Sequence, residues 1–226
     1  MIAGGYSAVI FDLDGTLADT AADIQEALAR SLAKEDLPPV DVKSVRLMIG
    51  GGPRRLVERA LHHLQVDTDD DLVSRLTASF HAEYLAQGNR LSTLFRGVED
   101  TLQTLHAAGI RTGICSNKPD DLCQMLVRDF AVGEYLDEVL GSGGDLPRKP
   151  DPAPLLQIIG RLGVAPEDTL YVGDSETDVT TARNAGVPVM LVKHGYTLRP
   201  ASQLGADTVI DSVADLVQAE PLACSA

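Results

Sequence analysis

Short apolar runs rich in β-branched residues alternate with amphipathic helical stretches along much of the chain. The first run, Ala8–Phe11, ends abruptly in Asp12-Leu13-Asp14-Gly15-Thr16, as a buried strand does when it feeds a polar loop. Comparable runs fall at 112–115, 138–140, 170–172 and 189–192, each separated from the next by a helical pattern. That alternation predicts an α/β fold built on a parallel sheet. The intervening helices are punctuated as helices should be. Leu102 and Leu105 share a face before Gly109, and Pro119 opens a helix carrying Leu122, Met125 and Leu126. Leu155, Leu156, Ile159 and Leu162 form a stripe that stops at Gly163, and a last helix from Thr177 stops at Gly186.

Between the first and second strands the rhythm breaks for roughly 75 residues, far longer than an ordinary connection. Four helical faces occur there and no strand pattern: Ile24, Ala27, Leu28 and Leu32; Val42, Val45 and Ile49; Leu56, Val57, Ala60 and Leu64; Leu72, Leu76 and Phe80. The reading is an inserted helical unit over residues 18–94, with the core made of residues 1–17 and 95–226. Its two crossings lie beside the carboxyl end of the first strand, where ligands bind in open α/β sheets, so the insert is expected to act as a lid.

Composition narrows the functional classes. The 226 residues carry a net charge of -14, which opposes nucleic-acid binding but leaves an anionic substrate open if a cation and a few basic groups reverse the local field. Cys115, Cys123 and Cys224 show no metal-ligand spacing and no disulfide framework. No segment reaches the roughly 18 apolar residues of a membrane span, and residues 1–8 lack a signal-peptide pattern, so a cytoplasmic protein is expected, a monomer or homodimer with no membrane partner.

The chemistry concentrates at strand ends. Asp12 and Asp14 repel each other unless a cation or a shared proton intervenes, and a divalent metal supplies the first. One carboxylate can then attack phosphorus while the other moves the proton. An isolated Asp-x-Asp-Gly equally describes a turn. Gly173-Asp174-Ser175-Glu176-Thr177-Asp178 ends another strand, and a parallel sheet gathers such ends, so Asp174 and Asp178 can join Asp12 and Asp14 in an oxygen-rich site suited to magnesium; alone, these residues read as a helix cap. Ser116, followed by Asn117, Lys118 and Pro119, offers a hydroxyl and amides for phosphate oxygens, or simply caps a helix. Lys149, between Arg148 and Pro150, can be held over developing negative charge, or belong to an exposed linker.

These segments, in this order, resemble the four motifs of the haloacid dehalogenase superfamily over nearly the whole chain: Asp12-x-Asp14-Gly15-Thr16, Ser116, Lys149, and Gly173-Asp174 with Asp178. The resemblance implies a Rossmann-like core with an inserted all-helical cap, an aspartyl-phosphate on Asp12, and Asp14 as general acid and base. It implies Mg2+ on Asp12, Asp14 and Asp174, with Asp178 in support, and Ser116 and Lys149 holding the phosphoryl group; Thr16 and Asn117 are further candidates for substrate contact. The insert is similar to the cap of the phosphoglycolate phosphatase-like branch, notably Val45-Arg46-Leu47-Met48-Ile49-Gly50-Gly51-Gly52, together with Asp19-Thr20 and Gly195-Tyr196. Gly51, Arg54 and Arg55 are therefore expected to meet the non-phosphate end of a small anionic phosphate such as phosphoglycolate, although a glycine-rich turn with solvated arginines fits the same residues.

Phosphosugars, nucleotides, pyrophosphate and a phosphomutase reaction remain alternatives. A dehalogenase needs neither the second acid nor the metal, and the cap lysines Lys34 and Lys43 lie in no phosphonate-cleaving motif. A protein that only binds phosphate would have no use for the proton-moving acid Asp14.

Overall fold

The computed structural model describes residues 5–217. In chain order its elements are β1 (Ala8–Phe11), β2 (Ala18–Asp19), α1 (Ala21–Ala33), α2 (Val42–Arg46), α3 (Pro53–His63), α4 (Asp70–Gln87), β3 (Thr93–Leu94), α5 (Val98–Ala107), β4 (Arg111–Pro119), α6 (Asp120–Asp129), β5 (Glu138–Ser142), α7 (Ala153–Leu162), β6 (Thr169–Gly173), α8 (Glu176–Ala185), β7 (Val189–Val192) and β8 (Thr208–Ile210). Six strands form one parallel sheet in the order β5-β4-β1-β6-β7-β8. The order reverses direction at the β1/β6 pair, which is the switch point of a doubly wound, Rossmann-like sheet.

Both sheet faces are covered, and β1 shows how two-residue periodicity sorts the side chains. Val9 and Phe11 enter a cluster with Leu102 and Leu105 of α5 and Leu126 of α6, while Ala8 and Ile10 face Leu155 and Ile158 of α7 and Ala182 of α8. A third cluster joins α1 to α4 through Leu28, Val45, Val57, Leu76 and Tyr84, and it also takes in Leu122 and Met125 of α6. The chain leaves for these four helices through β2 and returns through β3, and the two strands pair antiparallel, Ala18 with Leu94 and Asp19 with Thr93. Asp23 locks this passage. Its fully buried carboxylate accepts bonds from the amides of Leu91 and Ser92 and from the Ser92 hydroxyl.

Several details depart from the pattern read along the chain. β4 continues through Ser116, Asn117 and Lys118 to Pro119, whereas its apolar run stops at Cys115. The short β2, β3 and β8 escape periodicity because two or three residues cannot display it. Leu156 is exposed; the buried stripe of α7 runs through Leu155, Ile158, Ile159 and Leu162, with Ile158 in the place the sequence reading gave to Leu156. α2 ends at Arg46, so Ile49 lies beyond it and Val42 faces outward. α8 starts at Glu176 behind a capping box made by Ser175 and Asp178. Cys115 and Cys123 are buried free thiols, and Cys224 lies outside the described residues. Among the described residues, no helix is long and apolar enough to cross a membrane.

Candidate active site

The site sits at the carboxyl ends of β1, β4 and β6, beneath α1, α3 and α4. Asp12 extends the β1–β6 pairing by one residue, its amide donating to the Val172 carbonyl at 2.9 Å. That bond fixes Asp12 at the sheet edge beside the segment carrying Asp174 and Asp178. Carboxylate oxygens of Asp12, Asp174 and Asp178 lie within 4.8 Å of one another, and all three residues are buried. Lys149 enters this cluster from the loop after β5. Its Nζ lies 2.9 Å from Asp12 Oδ1, 2.8 Å from Asp178 Oδ1 and 2.8 Å from the Tyr171 hydroxyl.

The three acids have different environments. Asp178 is pushed up by burial, but Lys149, the Ser175 hydroxyl and the Asp174 amide more than offset this and hold it below the ordinary carboxylate range. Burial pushes Asp12 up to about 6, only partly countered by Lys149, and its Oδ1 accepts no hydrogen bond of good geometry despite the nearby ammonium. Asp174 is raised well above its usual value by burial and by the charges of Asp178 and Asp12. Buried carboxylates in this state need more positive charge than Lys149 alone provides. The donor set is all oxygen, which fits a small hard divalent cation held mainly by Asp12 and Asp174, with Asp178 already engaged in bracing Lys149.

Asp14 faces elsewhere. The turn after β1 closes through Leu17 N and Ala18 N on the Leu13 carbonyl, which carries the Asp14 side chain toward α1 and β4. Its carboxylate accepts from Thr20 Oγ1 at 2.6 Å and from Lys118 Nζ at 3.1 Å. Lys118 is itself buried, with its ammonium 4.5 Å from the centre of the Tyr84 ring of α4. A cavity of about 40 Å³ opens here, lined on one side by Asp12, Asp14, Ser116, Asn117 and Lys118 and on the other by Ile24, Ile49, Gly50, Gly52, Leu56 and Phe80.

Other residues singled out from the sequence lie differently. Arg54 and Arg55 do not line this cavity: α3 carries them onto its outer side, where Arg54 pairs with Glu58 and Asp70 and Arg55 with Glu58. Gly51 is also absent from the lining, and Gly50 and Gly52 take its place. Gly52 has φ +82° and brings the start of α3 so close to β4 that a Cβ would lie 3.1 Å from the Asn117 carbonyl. The Asn117 side chain is fully engaged as a tie: its Nδ2 donates to the carbonyls of Gly50 and Lys149 and its Oδ1 accepts from the Lys149 amide, so it orients Lys149 rather than offering free groups to a substrate. Thr16 is buried beneath the turn and does not line the cavity. Ser116 does, but from inside β4, with Pro119 separating it from the first turn of α6.

Sequence reading overlooked Lys118, Thr20, Tyr171 and the full role of Tyr196. The Tyr196 amide donates to Asp174 Oδ2, while its hydroxyl accepts from the amides of Thr20 and Ala21 and donates to Asp19. Gly195 leaves room for this contact, since a Cβ there would lie 2.2 Å from the Asp174 Cβ. The Asn117-Lys118-Pro119, Asp19-Thr20 and Gly195-Tyr196 strings were the hints of these contacts.

The family model for haloacid dehalogenase-like hydrolases matches residues 9–192, which span every one of these groups except those around His194 to Tyr196. The chain belongs to the haloacid dehalogenase-like hydrolase family. Among curated relatives in this family, it is 39% identical to a phosphoglycolate phosphatase from Rhodospirillum rubrum, covering 92% of this chain and 88% of that one. It is 38% identical to a phosphoglycolate phosphatase from Caulobacter vibrioides, covering 93% and 89%. A crystal structure of a predicted phosphoglycolate phosphatase from Haemophilus somnus superimposes with a TM-score of 0.86 at 29% identity, covering 94% of this chain and 96% of that chain. Within the haloacid dehalogenase-like hydrolases the chain thus groups with the phosphoglycolate phosphatase branch.

Proposed function

We propose that this hydrolase is a magnesium-dependent phosphatase that cleaves a small phosphomonoester, 2-phosphoglycolate first among the candidates, through an aspartyl-phosphate on Asp12. The carrying observation is the pairing of two unlike acids at one cavity: Asp12, buried against Lys149 and Asp174, and Asp14, held apart from it by Thr20 and Lys118. Residues 18–94 serve as the cap that closes this cavity. The apolar side chains of Ile24, Ile49, Leu56 and Phe80 line the side of the cavity facing Asp12 and Asp14 and leave few polar partners there for a large substrate such as a nucleotide.

Asp12 and Asp174 would hold a magnesium ion, which would supply charge neutralisation for attack on the phosphoryl group. The chain's own groups do the rest. Lys149 fixes the Asp12 carboxylate for in-line attack and offsets the negative charge of the phosphoryl group, while Ser116 borders the phosphoryl pocket. Asp14 donates a proton to the leaving oxygen. As a carboxylate again, Asp14 takes a proton from the water that opens the aspartyl-phosphate, and Thr20 keeps it aimed in both steps.

Release of inorganic phosphate from 2-phosphoglycolate with magnesium, in the absence of any bisphosphate activator, tests hydrolysis against mutase chemistry. Asp12→Asn should lower kcat by roughly three orders of magnitude or more while leaving the fold intact by circular dichroism. Turnover by that variant at the wild-type rate would refute the nucleophile.

A further inference from the structure

We infer that Lys118 recognises the carboxylate of the substrate and so sets the enzyme's preference for phosphorylated acids over neutral phosphate esters. The inference rests on the phosphatase reading above and adds a specificity residue to it. Among the described side chains that line the cavity, Lys118 carries the only permanent positive charge. Lys149 lies beneath Asp12, and Arg54 and Arg55 are tied to Glu58 and Asp70 outside. An anionic group at the far end of a substrate therefore has one cationic side chain to meet.

The position is appropriate to such a substrate. Lys118 Nζ touches both oxygens of Asp14, at 3.1 and 3.4 Å, so it sits beside the place where the leaving oxygen must lie to receive a proton. In a phosphorylated 2-hydroxy acid the carboxyl carbon is only two bonds from that oxygen. The Tyr84 ring supports the ammonium from the cap side, and the Cys123 thiol, 3.6 Å from the Lys118 carbonyl, fills the space behind the backbone.

The test compares 2-phosphoglycolate with ethyl phosphate, in which a methyl group replaces the carboxylate, by phosphate release with magnesium. The readout is the ratio of the two kcat/KM values, which is insensitive to a general loss of activity. The wild type should favour phosphoglycolate, Lys118→Met should shrink that preference by roughly 30-fold or more, and Lys118→Arg should retain most of it. If the Met variant does not fold, Lys118→Gln carries the same expectation. An unchanged ratio in the uncharged variants, with both substrates slowed together, would mean that Lys118 acts only through Asp14 and would overturn the inference. So would a wild type that cleaves ethyl phosphate as well as phosphoglycolate, a result that leaves the phosphatase reading standing. Release of phosphate from neither ester would instead refute the phosphatase reading, and this inference with it.

Discussion

Replacing Lys149 with Met removes one ammonium from between two buried carboxylates and a buried phenol. In the wild type that ammonium lies within 3 Å of Asp12, Asp178 and Tyr171, and only a twentieth of the residue is exposed. Breaking a buried ion pair from one side costs about 3–5 kcal/mol, because the abandoned charge has lost its solvent and its partner together. For a chain of this size each kcal/mol moves Tm by roughly 2–4 °C, so Lys149→Met should melt about 6–20 °C below wild type near pH 8.

The deficit should also depend on pH in a definite direction. Without Lys149 the folded-state pKa values of Asp12 and Asp178 both rise, away from the unfolded value near 3.9. A carboxyl whose folded pKa lies above its unfolded one makes the folded state bind the extra proton, so stability falls as pH rises from the unfolded value through the folded one. Lys149 itself stays charged across this range, since the charges of Asp12 and Asp178 outweigh burial and hold its pKa well above the usual lysine value. The gap between variant and wild type should therefore be small near pH 5 and largest near pH 8. Thermal melts without divalent metal, at both pH values, measure it. Equal deficits at the two pH values, or none near pH 8, would refute the claim that Lys149 stabilises the fold through these carboxylates.

Other outcomes follow from the same geometry. Magnesium should raise Tm more near pH 7.5 than near pH 5, because Asp12, pushed up to about 6 by burial, and Asp174, also raised by burial, must release protons to bind it; a chelator titration followed by fluorimetry reads the difference. Gly195→Ala forces a Cβ against Asp174 and should weaken magnesium binding by roughly 10-fold or more, measured calorimetrically. Asp23→Ala strands the Leu91 and Ser92 amides beside the β2/β3 ribbon and should cost at least about 2 kcal/mol in urea unfolding.

The strand ends were readable because they combine two simple signals, an apolar run and an abrupt acidic loop. Ala8–Phe11 with Asp12 and Asp14, and the 170–172 run with Asp174 and Asp178, show both, and parallel topology brings the first, third and fourth of these acids together. Lys118 was opaque because its burial is tertiary: polarity at Ser116, Asn117 and Lys118 looks like the end of a strand, yet β4 continues, and the Asn117 and Lys118 side chains find partners from other elements while the Ser116 hydroxyl accepts from the Lys118 amide. Arg54 was misplaced for a related reason. Its fate depends on Glu58 one turn away and on Asp70 at the start of α4, and no local pattern ranks those acids above a substrate. Leu156 shows the limit of stripe reading, since a helix with adjacent leucines leaves the phase open by one residue.

Tyr196 grips Asp174 with its main chain and the root of α1 with its ring hydroxyl. One residue therefore ties the buried acidic cluster to the segment that opens the overhead helices. By thermodynamic reciprocity, whatever a seated helix bundle adds to ion affinity, the ion returns as preference for the seated arrangement. If magnesium binds at Asp174 as proposed, mutations that reposition the bundle will carry an altered metal affinity with them.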